Sequence, residues 1–473
     1  MAQSAAAVGR PDPALRRMLL PLALAQFICS FAGSNMNVMI TDISNDLGTS
    51  VKGVQYTITL FLLVMAALMI PGGKLTDKWG RKRCLRLGLA TYGAGTLLSA
   101  LAPGLGVLIV GYSILEGIGT ALLIPPVYIL TTMLFSDTQS RARAFGSISG
   151  MGGIGAATGP LIGGLLATAV SWRAAFGFQT LVVLAILYLS RRVVDPVEAD
   201  PSRHFDTFGA VVSAAGLLLI ILGIQEAQYS VGGMAALIAG GVVVLALFFL
   251  HVRRLEREKK EPLLSTALFR NRTSNLGLVT QNLQWLLLMG ASFAVSAFLQ
   301  VVRHKNAIET GGIFTAATVG ILLSSIGQQR FARRHSQRSL IQAGFAITVV
   351  GMLLLLLMVR GSPSVWAFTP GLFFMGLGVG LMLTPSVNVV QSSFPEKTQG
   401  EISGLSRSVS NLGSSLGTAV AGTVIILGLP SADQSYGLAM IVLSIIGFGG
   451  FVVSLFLPSS PRVATSSTGA ARR

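Results

Sequence analysis

The chain has 473 residues, 52% of them hydrophobic and only 11% charged, with a net charge of +17 and a mean hydropathy of +0.70. A soluble fold would carry roughly a quarter charged residues, so the composition excludes a water-soluble globule and points to an all-α integral membrane protein. Cys29 and Cys84 lie in or beside different apolar segments, which implies neither a disulfide framework nor a cysteine metal site.

The polar start MAQSAAAVGRPDPALRR (1–17) runs into more than twenty apolar residues, the pattern of an anchor that stays in place rather than a cleaved leader. From there the sequence predicts fourteen spans: 18–40, 54–72, 84–103, 105–130, 144–169, 172–190, 208–226, 231–251, 274–302, 308–327, 339–359, 365–390, 401–428 and 434–457. Each approaches the ~20 residues that cross ~30 Å of hydrocarbon. The 55 glycines suit helices that must approach closely. If the N-terminus is cytoplasmic, the inward segments hold 29 of the 35 Lys and Arg. The outward loops then hold Lys52, Arg173, Arg303, Lys305 and Arg360, and Arg407 sits inside span 13. That alternation is the positive-inside pattern, with both termini cytoplasmic. The basic excess is therefore topological, and no nucleic-acid partner is expected, since that would need one concentrated patch.

The sequence repeats. GIGTALLIPP (117–126) in span 4 matches GLGVGLMLTP (376–385) in span 12, with Gly117, Gly119 and Pro126 aligned to Gly376, Gly378 and Pro385. Gly155 and Gly159 align with Gly413 and Gly417, and the basic turn after span 2 has a counterpart in GQQRFARRHSQR (327–338). The expected organisation is a tail (1–17), a six-helix half (18–190), charged linkers around inserted spans 7 and 8 (191–273), a second six-helix half (274–457) and a tail (458–473). Two parallel six-helix halves are the architecture of secondary transporters that rock about a midplane site.

GGKLTDKWGRKR (72–83) resembles the signature cytoplasmic loop of the major facilitator superfamily, through Gly73, Leu75, Asp77, Gly80, Arg81 and Lys82. GIGAATGPLIGG (153–164) resembles the span 5 motif of its antiporters through Gly155, Gly159, Pro160, Gly163 and Gly164, and SWR (171–173) opens span 6 as in the fourteen-helix drug:proton antiporters. The resemblance implies a multi-pass protein of the bacterial inner membrane that exports lipophilic or cationic small molecules in exchange for protons. Three positions depart from that subfamily: Ala32 stands where span 1 usually carries an acid, Ser113 where span 4 usually carries an arginine, and Glu116 where it usually carries a glutamine.

The residues themselves suggest roles. In the 72–83 turn, Asp77 can sit at a helix N-terminus, where an anion is favoured, while Arg81 can pair across the seam between halves or with anionic membrane lipid. That would make Gly73, Asp77, Gly80 and Arg81 a conformational latch; simple anchoring would need only the neighbouring cations. Ionisable groups inside a span are functional by default. Glu116 lies about 15 Å into span 4, and Arg407 is the other candidate for proton coupling, pairing with Glu116 in one conformational state and leaving it in the other. The alternatives are a protonated glutamate bonded to a neighbouring helix and an arginine that snorkels to the headgroups. Asn37, Gln281 and Trp285 are candidates to line a substrate cavity, though packing explains them nearly as well.

Gly150, Gly152 and Gly155 match a dinucleotide loop only superficially, because that loop needs a preceding strand. The four histidines show no metal-ligand spacing and no nucleotide-binding loop is present, so neither an enzyme nor a cofactor is expected. The expected function is proton-coupled efflux of a small lipophilic substrate by alternating access. The alternatives are an exporter or flippase of a lipid-like metabolite, and a non-transporting membrane sensor.

Overall fold

The computed structural model describes residues 13–135, 138–196, 199–202, 205–226, 229–332, 335–361, 364–394, 399–426 and 432–458. Every regular element among them is helical, and they form fourteen rods. Rod α1 is Pro13–Asn35, carried on through a 3-10 turn at Met36–Met39 to Ile40–Asp46. Then come α2 (Val51–Trp79) and α3 (Arg81–Ala100). Rod α4 (Gly117–Leu134) is entered through a π-helical stretch, Ile109–Glu116. Next are α5 (Thr138–Ala169), α6 (Trp172–Leu189), α7 (Thr207–Glu226) and α8 (Val231–Arg257). Rod α9 (Arg272–Ala297) ends in a π turn, Phe298–Val302. The last five are α10 (Ala307–Ala332), α11 (Gln337–Gly361), α12 (Phe368–Gln391), α13 (Gln399–Ile426) and α14 (Ala432–Ser454).

Twelve of these rods are long and apolar enough to cross a bilayer; α3 and α13 fall short in apolarity. The cause in α3 is its start, which carries Arg81, Lys82, Arg83 and Arg86. In α13 it is serine. Ser406, Ser408, Ser410, Ser414 and Ser415 are all buried. Their hydroxyls donate to carbonyls of their own helix, as Ser414 does to Ser410 at 3.2 Å, to carbonyls of α2, as Ser415 does to Thr59 at 3.1 Å, or to the Gln281 side chain of α9, as Ser406 does at 2.8 Å. A polar helix is stable here because its polar groups are satisfied inside the protein.

The sequence repeat reappears as a repeat of close helix crossings. A Cβ on Gly155 or Gly159 of α5 would press on the carbonyls of Phe27 or Phe31 of α1. In the second half, Gly413 and Gly417 of α13 stand the same way against Asn282 and Leu286 of α9. Likewise Gly95 of α3 and Gly111 face each other's carbonyls, and so do Gly351 of α11 and Gly371 of α12. Small residues at these positions let the backbones touch, and dispersion then holds the helices without any hydrophobic force between them.

Rods α7 and α8 pack on each other through Gly216, Gly223 and Gly241, and α7 lies against α2 and α13. The outer face of α8 (Val242, Val243, Leu247 and Leu250) is exposed, as a lipid-facing surface should be. The linker after α8 is folded: Glu256 accepts from the Thr266 amide at 2.7 Å, and Leu263, Leu264 and Leu268 join Ile402 and Leu405 of α13 in a separate apolar cluster.

Candidate functional site

The seam along which residues 18–190 meet residues 274–457 is where a site can form. Rods α2 and α13 run along each other. Gln55 reaches the Thr418 and Ala419 carbonyls at 3.5 Å, and Ser408 donates to the Ala66 carbonyl. Lys74 and Glu401 form an ion pair of 2.8 Å at the end that carries the basic loop. At the opposite end, Gln300 in the π turn of α9 donates to the Asn37 carbonyl at 2.8 Å and accepts from the Thr41 amide at 3.1 Å. Rods α5 and α10 meet beside it, the Ile308 amide donating to Thr168 at 3.2 Å. Gly311 packs against the Pro160 carbonyl there.

Between these contacts lies a cleft of about 50 Å³, lined by Ser34, Asn37, Pro160, Ser292, Ser296 and Phe314 among others. Asn37 Oδ1 and Ser296 Oγ are buried and have no hydrogen-bond partner among the described residues. Of the three residues suggested for a cavity, Asn37 is therefore on it. Gln281 is spent elsewhere: it donates to Ser410 at 2.9 Å and accepts from Ser406 at 2.8 Å, tying α9 to α13. Trp285 is half-buried against the apolar core.

Glu116 ends the π-helical stretch that leads into α4 and is fully buried. Its side chain turns toward α3, packing on Gly95 beside the Tyr92 and Ser99 hydroxyls. Neither carboxyl oxygen has a hydrogen-bond partner among the described residues. A π bulge displaces the side chains beyond it, and such bulges are frequent at functional sites. Two of the three positions that depart from the drug-antiporter pattern are satisfied locally: the Ala32 carbonyl accepts from the Tyr112 hydroxyl at 3.1 Å, and Ser113 donates to the Thr57 carbonyl at 2.7 Å.

Arg407 does not touch Glu116 in this structure. It donates to the Tyr128 hydroxyl, and its guanidinium carbon lies 4.8 Å from the centre of that ring. Tyr128 in turn donates to Gln26 at 3.2 Å, so α13, α4 and α1 share one polar chain. Tyr128 is twelve residues beyond Glu116, about 18 Å along the helix. Cys29, buried on α1 with the Thr120 hydroxyl at its thiol, neighbours both ionisable groups. Tyr128 and Cys29 carry no periodic signal, and sequence reading passed them over.

The basic loop is organised differently from expectation. Gly80 has φ +87°, a conformation only glycine adopts cheaply. The N-terminus of α3 is capped by Asp195, from the segment after α6, which accepts from the Arg81 and Lys82 amides at 2.6 and 3.2 Å. The Asp77 side chain lies outside what the structure describes. Gly72, rather than Gly73, is the tight position on α2: a Cβ there would clash with the Ala121 carbonyl of α4, whereas one on Gly73 would make ordinary contact with Pro125. In the span 5 motif, Gly155, Gly159 and Gly163 all face α1, Gly163 against Asn35. Among the described residues, the ion pair that crosses the seam joins Lys74 and Glu401.

An all-helical bundle of fourteen rods with glycine-lined crossings and ionisable side chains along the contact of α2 with α13 has the features of a multi-pass membrane transporter. The chain belongs to the Major Facilitator Superfamily, which it matches over residues 22–418. It is 28% identical over 427 residues to the puromycin resistance protein pur8 of Streptomyces alboniger, covering 89% of this chain and 84% of that one. It is 29% identical over 409 residues to the multidrug efflux pump LfrA of Mycolicibacterium smegmatis (86% and 80%). To the probable actinorhodin transporter of Streptomyces coelicolor it is 26% identical over 429 residues (88% and 74%). A crystal structure of a peptide transporter in complex with alafosfalin shares the fold, with a TM-score of 0.67 at 17% identity over 93% of each chain.

Proposed function

We propose that this protein is a secondary active transporter of the bacterial inner membrane that exports small lipophilic molecules by alternating access, with proton movement at Glu116. It crosses the membrane fourteen times with both termini and the basic end in the cytoplasm, as the charge alternation along the chain supports. Two six-helix halves, residues 18–190 and 274–457, rock about the cleft between α1, α5, α9 and α10. The Lys74–Glu401 pair and the turn at Gly73, Asp77, Gly80 and Arg81 close the cytoplasmic end; Gln300 and Asn37 close the other. The efflux and resistance proteins to which the chain is similar support export of small molecules as the direction of work.

The observation that carries the reading is the buried carboxyl of Glu116, which has neither a cation nor a hydrogen bond among the described residues. An ionised carboxylate held there would have lost its water without compensation, so the group is carried as the neutral acid. Opening of the halves admits water and brings it toward the charge of Arg407, and the proton leaves. The same group thereby binds a proton on one side of the membrane and releases it on the other. In inverted vesicles, an imposed pH gradient should drive at least one member of a panel of acidic, neutral and cationic lipophilic fluorophores inward with the native protein. Glu116→Gln should abolish that uptake while leaving exchange without a gradient. Gradient-driven uptake by Glu116→Gln at the native rate would end the assignment.

A further inference from the structure

The chemistry of Arg407 reaches beyond proton coupling and bears on what is exported; it rests on the transporter reading above. Arg407 lies eight residues past the start of α13, about 12 Å into the helix, on the seam where α13 faces α4 and α1. One of its N–H groups is used by Tyr128, and the guanidinium stacks on that ring. Gln26 fixes the phenol from behind, and Gly152 of α5 leaves room for the Gln26 side chain, a Cβ there coming within 3.0 Å of it. Among the described residues, Tyr128 is the acceptor the guanidinium meets, and Arg407 is only partly buried.

Among the described residues, no carboxylate pairs with this charge. Among the described residues, Glu401 is paired with Lys74 and Glu116 is turned onto α3. Cys29 and Tyr128, the titratable neighbours from α1 and α4, are neutral in their ordinary forms. A guanidinium inside a membrane-spanning helix without an anion is costly. Within a water-poor seam its charge also acts over several ångströms, repelling cations and attracting anions. Its fork of parallel N–H groups fits a carboxylate, which takes two charge-assisted hydrogen bonds at once.

We propose that Arg407 is the docking point for the acidic group of the exported molecule, so that the transporter selects lipophilic carboxylic acids over their neutral and cationic analogues. Tyr128 orients the guanidinium and offers its ring edge to the apolar body of the ligand. An acid bound at Arg407 occupies the charge that otherwise draws the proton from Glu116. Substrate and ionised Glu116 are therefore rivals for one cation.

The probes are 4-(1-pyrenyl)butyrate, its primary amide and 4-(1-pyrenyl)butylamine, which share one apolar body and differ in charge. Binding to the full-length protein in nanodiscs of zwitterionic lipid is read by fluorescence, with empty nanodiscs subtracted. The acid should bind about tenfold or more tightly than the amide, the difference a charge-assisted pair supplies, and the amine more weakly than either. Arg407→Gln should bring the acid down to the level of the amide, and Arg407→Lys should recover part of the preference. Both variants are first matched to the native protein by size-exclusion profile and melting temperature. Equal binding of acid and amide to the native protein, or a preference that survives in Arg407→Gln, overturns the proposal. Flux in proteoliposomes separates this from the transporter reading. Acid preference without flux leaves the anion site standing and removes transport, while flux without acid preference does the reverse.

Discussion

Replacing Glu401 by Gln removes the ion pair that ties α13 to α2 at the basic end, and its effect can be sized from the geometry. The Lys74 and Glu401 groups are 2.8 Å apart with side chains 21% and 33% exposed. Exposed pairs contribute about 0.2–1 kcal/mol, and partial cover places this one near the top of that range. About 1 kcal/mol corresponds to a roughly fivefold change in the ratio of closed to open conformations. Spin labels at Arg192→Cys and Ser339→Cys, on exposed positions at that end of each half, in a background with Cys29 and Cys84 replaced by serine, would report the distance distribution directly. Glu401→Gln should shift weight to longer distances, and high salt should shrink the difference between variant and native. Lys74→Glu combined with Glu401→Lys should restore the native distribution, because the pair is reversed rather than lost. An unchanged distribution in both single variants, or a swapped pair no better than either single change, would show that the contact does not bias the equilibrium.

Gly80→Ala forces a side chain into a backbone with φ +87° and toward the Asp195 carboxylate that caps α3. It should cost about 1–2 kcal/mol and lower the melting temperature in detergent, and an unchanged melting temperature would mean the turn relaxes without loss. For the topology, a cysteine at the exposed Glu261 should react with a membrane-impermeant maleimide only after cells are permeabilised. Labelling of intact cells would reverse the orientation.

The rods were legible because apolar runs of membrane length and the basic clusters between them are local signals. The glycine pairs at Gly155 and Gly413 were legible as a repeat, and the structure supplies their reason: each sits on a backbone carbonyl of the helix it crosses. The contacts across the seam were not legible. Lys74 and Glu401 are far apart in the chain and each reads as an ordinary helix-end charge; only the packing of α2 on α13 brings them together. Asp195 lies in a linker with no helical pattern, and nothing local marks it as the cap of α3. The π stretch at Ile109–Glu116 is equally silent, since its residues suit an ordinary helix. Gln281 shows the opposite failure. Its residue type suggested a cavity, yet two serines of α13 one turn apart consume its amide.

The serine-rich face of α13 and the basic start of α3 also bear on how the protein is made. A helix leaving the translocon partitions into lipid by its own apolarity. Neither of these two helices has enough. Some α13 hydroxyls are satisfied within the helix, as Ser414 is by Ser410, but Ser406, Ser408 and Ser415 donate to α9 and α2 and find those acceptors only once these helices are beside it. Insertion of α13 is therefore expected to depend on helices made before it, so that the order of synthesis along the chain matches the order in which its polar groups can be satisfied.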